Sequence, residues 1–218
     1  MRKVAVVVAH ADDEVLGAGG VIARHAIDGD SILIVYMTPK ITIRKDEDTN
    51  LDKARVKALK ILGGNNEIEF KVFEFADQYL DTIAISRLVI ALEDVLKPFA
   101  PEIIYTHSFA DINEDHRRTY QVVMTAARPY AMPSVKEILC MEVGSATEWG
   151  LLPFIPTLYV DISKVVSRKL RAMNEYRQEM KKWPHPRSLM RLLAKGMVRG
   201  SESGYGCAEA FEQKRTRR

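Results

Sequence analysis

The sequence predicts an α/β fold: one domain built on a Rossmann-like, mostly parallel sheet with helices on both faces. Three observations predict it. Apolar runs of strand length alternate with helical segments over the first two thirds of the chain. The first run, Val4 to Val8, is rich in β-branched residues and stops abruptly at polar ones, as a strand buried on both faces does. The length, 218 residues, supplies one sizeable core and not two comfortable ones.

The elements follow in order. After Val4–Val8 comes a helix over Glu14–Asp28, stopped by Gly29, then a second buried strand over Ser31–Met37 and a polar loop over Thr38–Thr49. Leu51, Ala54, Ala58, Leu59 and Leu62 make an apolar stripe, so Leu51–Leu62 is helical and Gly63-Gly64 ends it. Glu67–Phe73 alternates as a third strand. Ile83–Leu96 is a helix ended before Pro98, Pro101–Thr106 a fourth strand, and Asp115–Ala127 the next helix. Lys136–Val143 and Thr157–Ile162 are expected as further strands, Ser163–Met180 as a long amphipathic helix, and Ser188–Lys195 as a short one. The glycines of Gly200–Gly206 mark a loop.

Composition narrows the function. Hydrophobic residues at 47% and charged residues at 28% describe an ordinary globular chain. The formal charge of +3 rests largely on Lys214, Arg215, Arg217 and Arg218, so the body is near neutral and charge gives no case for nucleic acid. The chain is accordingly divided into one domain, 1–213, and a frayed basic tail, 214–218. Two cysteines, Cys140 and Cys207, are too few and too far apart for a disulfide framework or a metal knuckle. Cys140 reads as a core residue. The six apolar residues from Val4 are too short for a signal segment, and no stretch is long enough to span a bilayer, so a cytoplasmic protein is expected.

The chemistry concentrates at two strand ends, where open α/β sheets bind ligands. His10-Ala11-Asp12-Asp13-Glu14 follows strand one directly, and His107 to His116 follows strand four. In the doubly wound order these strands are neighbours, so the segments share one crevice. Catalytic zinc takes three ligands from His, Asp or Glu and keeps a position open. His10, one of Asp12 and Asp13, and His116 would supply two imidazoles and a carboxylate. Each alone has a plainer reading: a strand-end histidine, a helix cap with a first-turn acid, and a solvated helix face. Their coincidence at adjacent strand ends favours the metal. Gly17, Gly19 and Gly20 do not fit the phosphate-cradling G-x-G-x-x-G spacing, and close packing of the first helix on the sheet is their expected use.

The segment Ala9-His10-Ala11-Asp12-Asp13-Glu14-Val15-Leu16-Gly17-Ala18-Gly19-Gly20 resembles the A-H-P-D-D-E, V-L-G-x-G-G signature of the LmbE-like or PIG-L-type zinc-dependent N-deacetylases. His107 followed by Asp111-Ile112-Asn113-Glu114-Asp115-His116-Arg117 is similar to the second motif of one branch. Further echoes are Arg55, Asp161-Ile162-Ser163, and Arg199-Gly200 leading to Ala208-Glu209-Ala210-Phe211. The resemblance implies Zn2+ held by His10, Asp13 and His116, with Asp12 as general base. Ala11 replaces the family proline without removing a ligand. Asn113 stands where other members carry a proton-donating histidine; it is left to bond the oxyanion or orient a neighbour. The acid is then His107, swinging over the site, or Asp12 itself. Asp111 and Asp115 either orient imidazoles or cap the helix. Arg55 resembles a position that reaches toward substrate, and His185, between Pro184 and Pro186, is taken as a substrate contact. Glu209 reads as structural, and His25 as a helix-face residue. The implied substrate is a small molecule or glycoconjugate with an N-acetyl amino sugar, and the implied assembly a homo-oligomer. Two other readings stand beside it: a non-hydrolytic nucleotide- or nucleotide-sugar-binding domain, and a metal-binding member without turnover.

Overall fold

The computed structural model describes residues 1–39 and 51–217. The strands are β1 (Lys3–Val8), β2 (Ser31–Tyr36), β3 (Glu69–Val72), β4 (Ile103–Thr106), β5 (Glu137–Met141), β6 (Leu158–Asp161) and β7 (Ala208–Thr216). They form one seven-stranded sheet in the order β3-β2-β1-β4-β5-β7-β6. The first five pair in parallel, and β7 runs antiparallel to both of its neighbours. Among the described residues the helices are α1 (Asp13–Ile27), α2 (Leu51–Gly63), α3 (Ile85–Phe99), α4 (Glu114–Ala126), α5 (Val166–Glu175) and α6 (Leu189–Ser203). The expected mostly parallel α/β sheet is present. The polar loop expected over 38–49 lies, from residue 40 onward, outside the described residues.

The core divides as the pleat requires. Val4, Val6 and Val8 of β1 pack on one face with Val15, Ile22 and Leu59 from α1 and α2. Ala5 and Val7 point the other way, onto Leu88, Leu92 and Val122 from α3 and α4. Both faces of β1 are therefore dry, which is why its sequence is apolar without alternation. The order reverses between β1 and β4, and the carboxyl ends of strands at such a reversal are where open α/β sheets bind ligands.

The glycines of α1 are packing residues. A Cβ on Gly17 would lie 2.4 Å from Met141 Sδ, and one on Gly20 would lie 2.6 Å from Ile162 Cγ2. Ile162 is buried and β-branched, so it cannot turn aside. Gly20→Ala should therefore cost about 1–3 kcal/mol, the usual range for overpacking, read as a lower urea midpoint. An unchanged midpoint would show that β6 and its following turn can yield.

The bare stretch of α1 also admits an ion pair. Lys169 Nζ donates to Leu16 O at 2.9 Å and lies 2.6 Å from Glu209 Oε1. Glu209 accepts from the backbone amides of Gly20 and Val21, each at 2.8 Å. Both side chains are nearly closed to solvent. Side chains longer than alanine at 17–20 would crowd this approach. Glu209 is structural, as expected.

The carboxyl-terminal third departs from the sequence reading. Lys214, Arg215 and Thr216, expected in a frayed basic tail, continue β7 along β5. That end of β7 lies beyond β6, and Arg215 Nη1 there donates to Ala127 O. Lys214 lies over the Phe109 ring at 4.9 Å and pairs with Glu212. Arg218 lies outside the described residues. Helix α6 runs on through Gly196 and Gly200, past the end expected at Lys195 and into the stretch expected as a loop. A Cβ at these positions would meet Cys207 Sγ at 2.4 Å and Tyr205 O at 2.6 Å, so the glycines permit close packing instead. The helix stops at Gly204, whose φ of 78° is left-handed. The long helix expected over Ser163–Met180 shortens to α5, because Tyr176 leaves the helix and reaches Glu14 at 2.7 Å.

Candidate metal centre

The turn after β1 is built to present acids. Asp12 has φ 93° and ψ −29°, a left-handed conformation that costs a non-glycine residue about 1 kcal/mol or more. Its amide donates to Glu14 Oε2 at 2.9 Å. Its carbonyl accepts from Val15 and Leu16 at 3.0 and 2.9 Å, opening α1. Asp13 occupies the first turn, where the helix dipole favours negative charge.

Three atoms converge beside it. His10 Nδ1 lies 3.2 Å from Asp13 Oδ2, His116 Nε2 lies 3.3 Å from the same oxygen, and the two nitrogens are 3.3 Å apart. A nearly equilateral triangle of that edge is what three tetrahedral ligands make around a cation at ~2.0–2.1 Å. All three residues are buried.

The far side of each imidazole is held by carboxylate. His116 Nδ1 faces Asp111 Oδ2 at 3.1 Å, and Asp111 is braced by Thr147 Oγ1 at 3.2 Å and the Asn113 amide at 3.0 Å. His10 Nε2 faces Asp77 Oδ1 at 3.0 Å and Asp115 Oδ2 at 3.3 Å. Asp115 in turn accepts from the amides of Gln78 and Leu80. An imidazole nitrogen bonded to carboxylate carries the proton, so the other nitrogen offers its lone pair. Once the inward nitrogens give up their protons, both lone pairs and the Asp13 carboxylate address one point. The other metal-capable groups, His107-Asp111-His116 and His10-Asp77-Asp115, share these orienting carboxylates.

Electrostatics match the geometry. Burial pushes His116 down, but Asp13 and Asp111 outweigh it and hold it up to about 9. Against the same burial, Asp115, Asp13 and Asp77 hold His10 well above its usual value. Burial alone would raise Asp13; the charge on His116 and the bond from His10 keep it well below the carboxylate range. Asp12 makes no bond to the imidazoles. Burial pushes it up to about 8 against the pull of Arg187, whose Nη1 lies 3.1 Å from Asp12 Oδ2. Asp12 Oδ1 is buried and has no partner among the described residues.

Two expected site residues stand elsewhere. His107 does not swing over the crevice. It is fully buried, stacked on the His116 ring at 3.9 Å, and its Nε2 accepts from the Ala9 amide at 2.9 Å. Burial and the His116 charge push it down to about 3, so it has no proton to give near neutrality. Asn113 caps α4 instead of facing the triangle: its Oδ1 accepts from the amides of Asp115 and His116 at 2.9 and 3.4 Å. Of its two expected uses, orienting a neighbour is the one this geometry serves.

Arg55 is buried, with its guanidinium 4.7 Å from the Tyr36 ring centre and 2.5 Å from Asp52. His185 packs edge-on to Trp149 and accepts from the Arg187 amide at 3.1 Å. It is Arg187, two residues on, that reaches Asp12. Sequence reasoning passed over Arg187 and Asp77; Asp77 lies in the loop beyond β3, and that position was its one available signal. His25, taken for a helix-face residue, is buried between Asp30 at 2.8 Å and Tyr105 Oη at 3.1 Å. Cys140 is a core residue, its thiol pushed up to about 12 by burial.

Comparison with known proteins bears on what this geometry does. Residues 5–127 match the family model described as PIG-L: GlcNAc-PI de-N-acetylase. Over 177 residues the chain is 33% identical to the uncharacterized deacetylase YaiS of Escherichia coli K12, covering 78% of this chain and 87% of that protein. Two solved structures share the fold. The 4-carboxy-2-hydroxymuconate hydratase GalB of Pseudomonas putida KT2440 matches with TM-score 0.77 and 23% identity, over 100% of this chain and 98% of that one. The N,N'-diacetylchitobiose deacetylase of Pyrococcus horikoshii matches with TM-score 0.76 and 18% identity, over 98% and 84%. A hydratase and a deacetylase at equal likeness mean that the fold alone does not select the reaction.

Proposed function

This chain belongs to the PIG-L family of de-N-acetylases, and from that premise of a hydrolytic N-deacetylase we propose that it uses Zn2+ to remove an acetyl group from an amino-sugar nitrogen. One observation carries the reading. His10 Nδ1, Asp13 Oδ2 and His116 Nε2 form a triangle of open ligand atoms, and Asp12 stands next to it with a buried oxygen that nothing else uses. The nitrogen and carboxylate donor set suits zinc. When bound, the cation supplies a Lewis acid that polarises the amide carbonyl and makes water acidic.

The remaining chemistry belongs to the chain. Arg187 pulls Asp12 toward its ionised form, and a bound cation would add to that pull. So ionised, Asp12 takes a proton from the attacking water as the water oxygen bonds to the acetyl carbon. The C–N bond then breaks, and Asp12 returns the proton to the departing nitrogen, leaving a free amine and acetic acid, which gives up its proton to become acetate. Assigning both transfers to Asp12 follows from the burial of His107, which leaves that imidazole without a proton to donate. Asp111, Asp77 and Asp115 keep the ligand imidazoles in one tautomer throughout.

The sugar preference rests on resemblance and on the chitobiose deacetylase that shares the fold. No helix among the described residues is long and apolar enough to cross a membrane, which suits a substrate met in water. The direct test measures bound metal and acetate release from N-acetylglucosamine and N,N'-diacetylchitobiose. We expect near-stoichiometric zinc in the parent, lost in His10→Ala and His116→Ala together with acetate release. A parent that holds metal and releases no acetate from any N-acetyl sugar would favour the member without turnover. One that takes up no zinc would sink the proposal.

Metal uptake should also be coupled to protons. His116 is held up to about 9 and His10 well above its usual value, so both are protonated near neutral pH without a metal. Ligation requires neutral imidazole, so binding at pH 7 should release protons, and affinity should fall as pH is lowered. Titration calorimetry in buffers of different ionisation enthalpy reads the number. Zero release would mean that the imidazoles are already neutral in the apo site.

A further inference from the structure

We propose that Arg187 is a positioning residue that fixes which oxygen of Asp12 meets the reacting water, an inference that rests on the deacetylase reading above. The left-handed backbone of Asp12 sets its Cα, but a carboxylate can still rotate about its last bond. Arg187 Nη1 holds Oδ2 at 3.1 Å, and Oδ1 is left buried without a partner. Among the described residues no other group donates a hydrogen bond to this carboxylate. One oxygen is therefore committed to the guanidinium and the other is left buried and free of any partner among the described residues.

Arg187 is itself aimed from several sides. Its Nε donates to Ser145 Oγ at 2.8 Å, and Ser145 sits in a left-handed turn with φ 67°. Glu179 lies 3.8 Å from the same Nη1. The Arg187 amide donates to His185 Nδ1, and its carbonyl accepts from the Lys181 amide. The segment after α5 thus carries a planar fork whose Nε and Nη1 engage the Ser145 turn and Asp12 at once. A lysine brings charge but not that fork, so it cannot hold both partners in one geometry. A simple counter-ion would not need the second anchor.

The test compares Arg187→Lys, Arg187→Gln and Arg187→Ala with the parent, each loaded with zinc, using acetate release from N-acetylglucosamine. Loss of aim should lower kcat about 100-fold in all three, with KM within about threefold, as expected when a reacting group is misplaced. Zinc content should stay at the parent level. Added guanidinium should restore part of kcat to Arg187→Ala and none to Arg187→Gln, whose amide fills the space. Should the Arg187 variants fail to fold, Ser145→Ala removes the second anchor alone and should lower kcat about 5–10-fold. A kcat within threefold of the parent in Arg187→Gln, full activity in Arg187→Lys, or a change confined to KM would overturn the proposal. An unchanged kcat in Ser145→Ala would do so where the Arg187 variants do not fold. A zinc-loaded parent that releases no acetate would overturn the deacetylase reading and this proposal with it. An active parent with an unaffected variant overturns the proposal alone.

Discussion

Asp12→Asn should leave zinc in place and reduce kcat about 10²–10⁴-fold, the range that a positioned general base contributes. The metal should stay because Asp12 is outside the triangle of His10, Asp13 and His116 that is proposed to hold it. The fold should stay because asparagine tolerates the left-handed backbone that Asp12 adopts better than most residues do. Turnover should fall because an amide cannot take a proton from water. Elemental analysis beside acetate release separates these effects. If the variant loses zinc, Asp12 is a ligand. If it keeps both zinc and turnover, the base is another group and the two-way proton role assigned to Asp12 is wrong.

Lys169→Met should be the most destabilising single change among those considered, at about 3–5 kcal/mol. That is the cost of removing one partner from a buried pair and leaving the other charge without compensation. Glu209 would keep its two amide bonds from α1, but Leu16 O would lose its donor and the carboxylate its counter-ion. Methionine keeps much of the lysine stem, so little of the loss is a cavity. Urea unfolding with an unchanged slope measures it. A loss below about 1 kcal/mol would show that water or a second cation reaches Glu209.

Much of this site was legible in the sequence, for a physical reason. His10, Asp12 and Asp13 follow β1 without a gap, and His116 opens α4 just after β4. Locating the strands therefore locates the three side chains that converge, and only the strand order had to be supplied. Arg187 and Asp77 carry no such tag. Each comes from a loop whose path depends on how distant elements pack, and an isolated charge in a loop reads as solvated. His107 misled because a histidine at a strand end resembles a catalytic one. Only the tertiary contact between its Nε2 and the Ala9 amide shows that it faces inward. Gly196 and Gly200 misled for the opposite reason. Glycine signals a helix stop unless a neighbour needs the missing Cβ, and that neighbour, Cys207 to Ala208, lies across a turn. The Lys-Arg end of β7 looked like a tail because charge usually means solvent; there the backbone pairs with β5 while Lys214 and Arg215 find partners in Glu212 and the Ala127 carbonyl.

The place of β7 in the sheet bears on when the protein becomes competent during its synthesis. Helix α1 emerges from the ribosome early, but the carboxylate that bonds its Gly20 and Val21 amides is Glu209, nearly at the other end of the chain. Strand β6 joins the sheet only through β7, so it too has no place to dock until then. A nascent chain arrested before Cys207 should therefore hold β1 to β5 as a sheet with an open edge, and its first helix should be loosely seated. Metal capture at the proposed site should switch on once β7 is released, not gradually as its side chains appear. Arrested chains of increasing length, assayed for zinc retention and protease resistance, should show one late step; a site that forms as soon as His116 is exposed would place the burden of assembly on the parallel half alone.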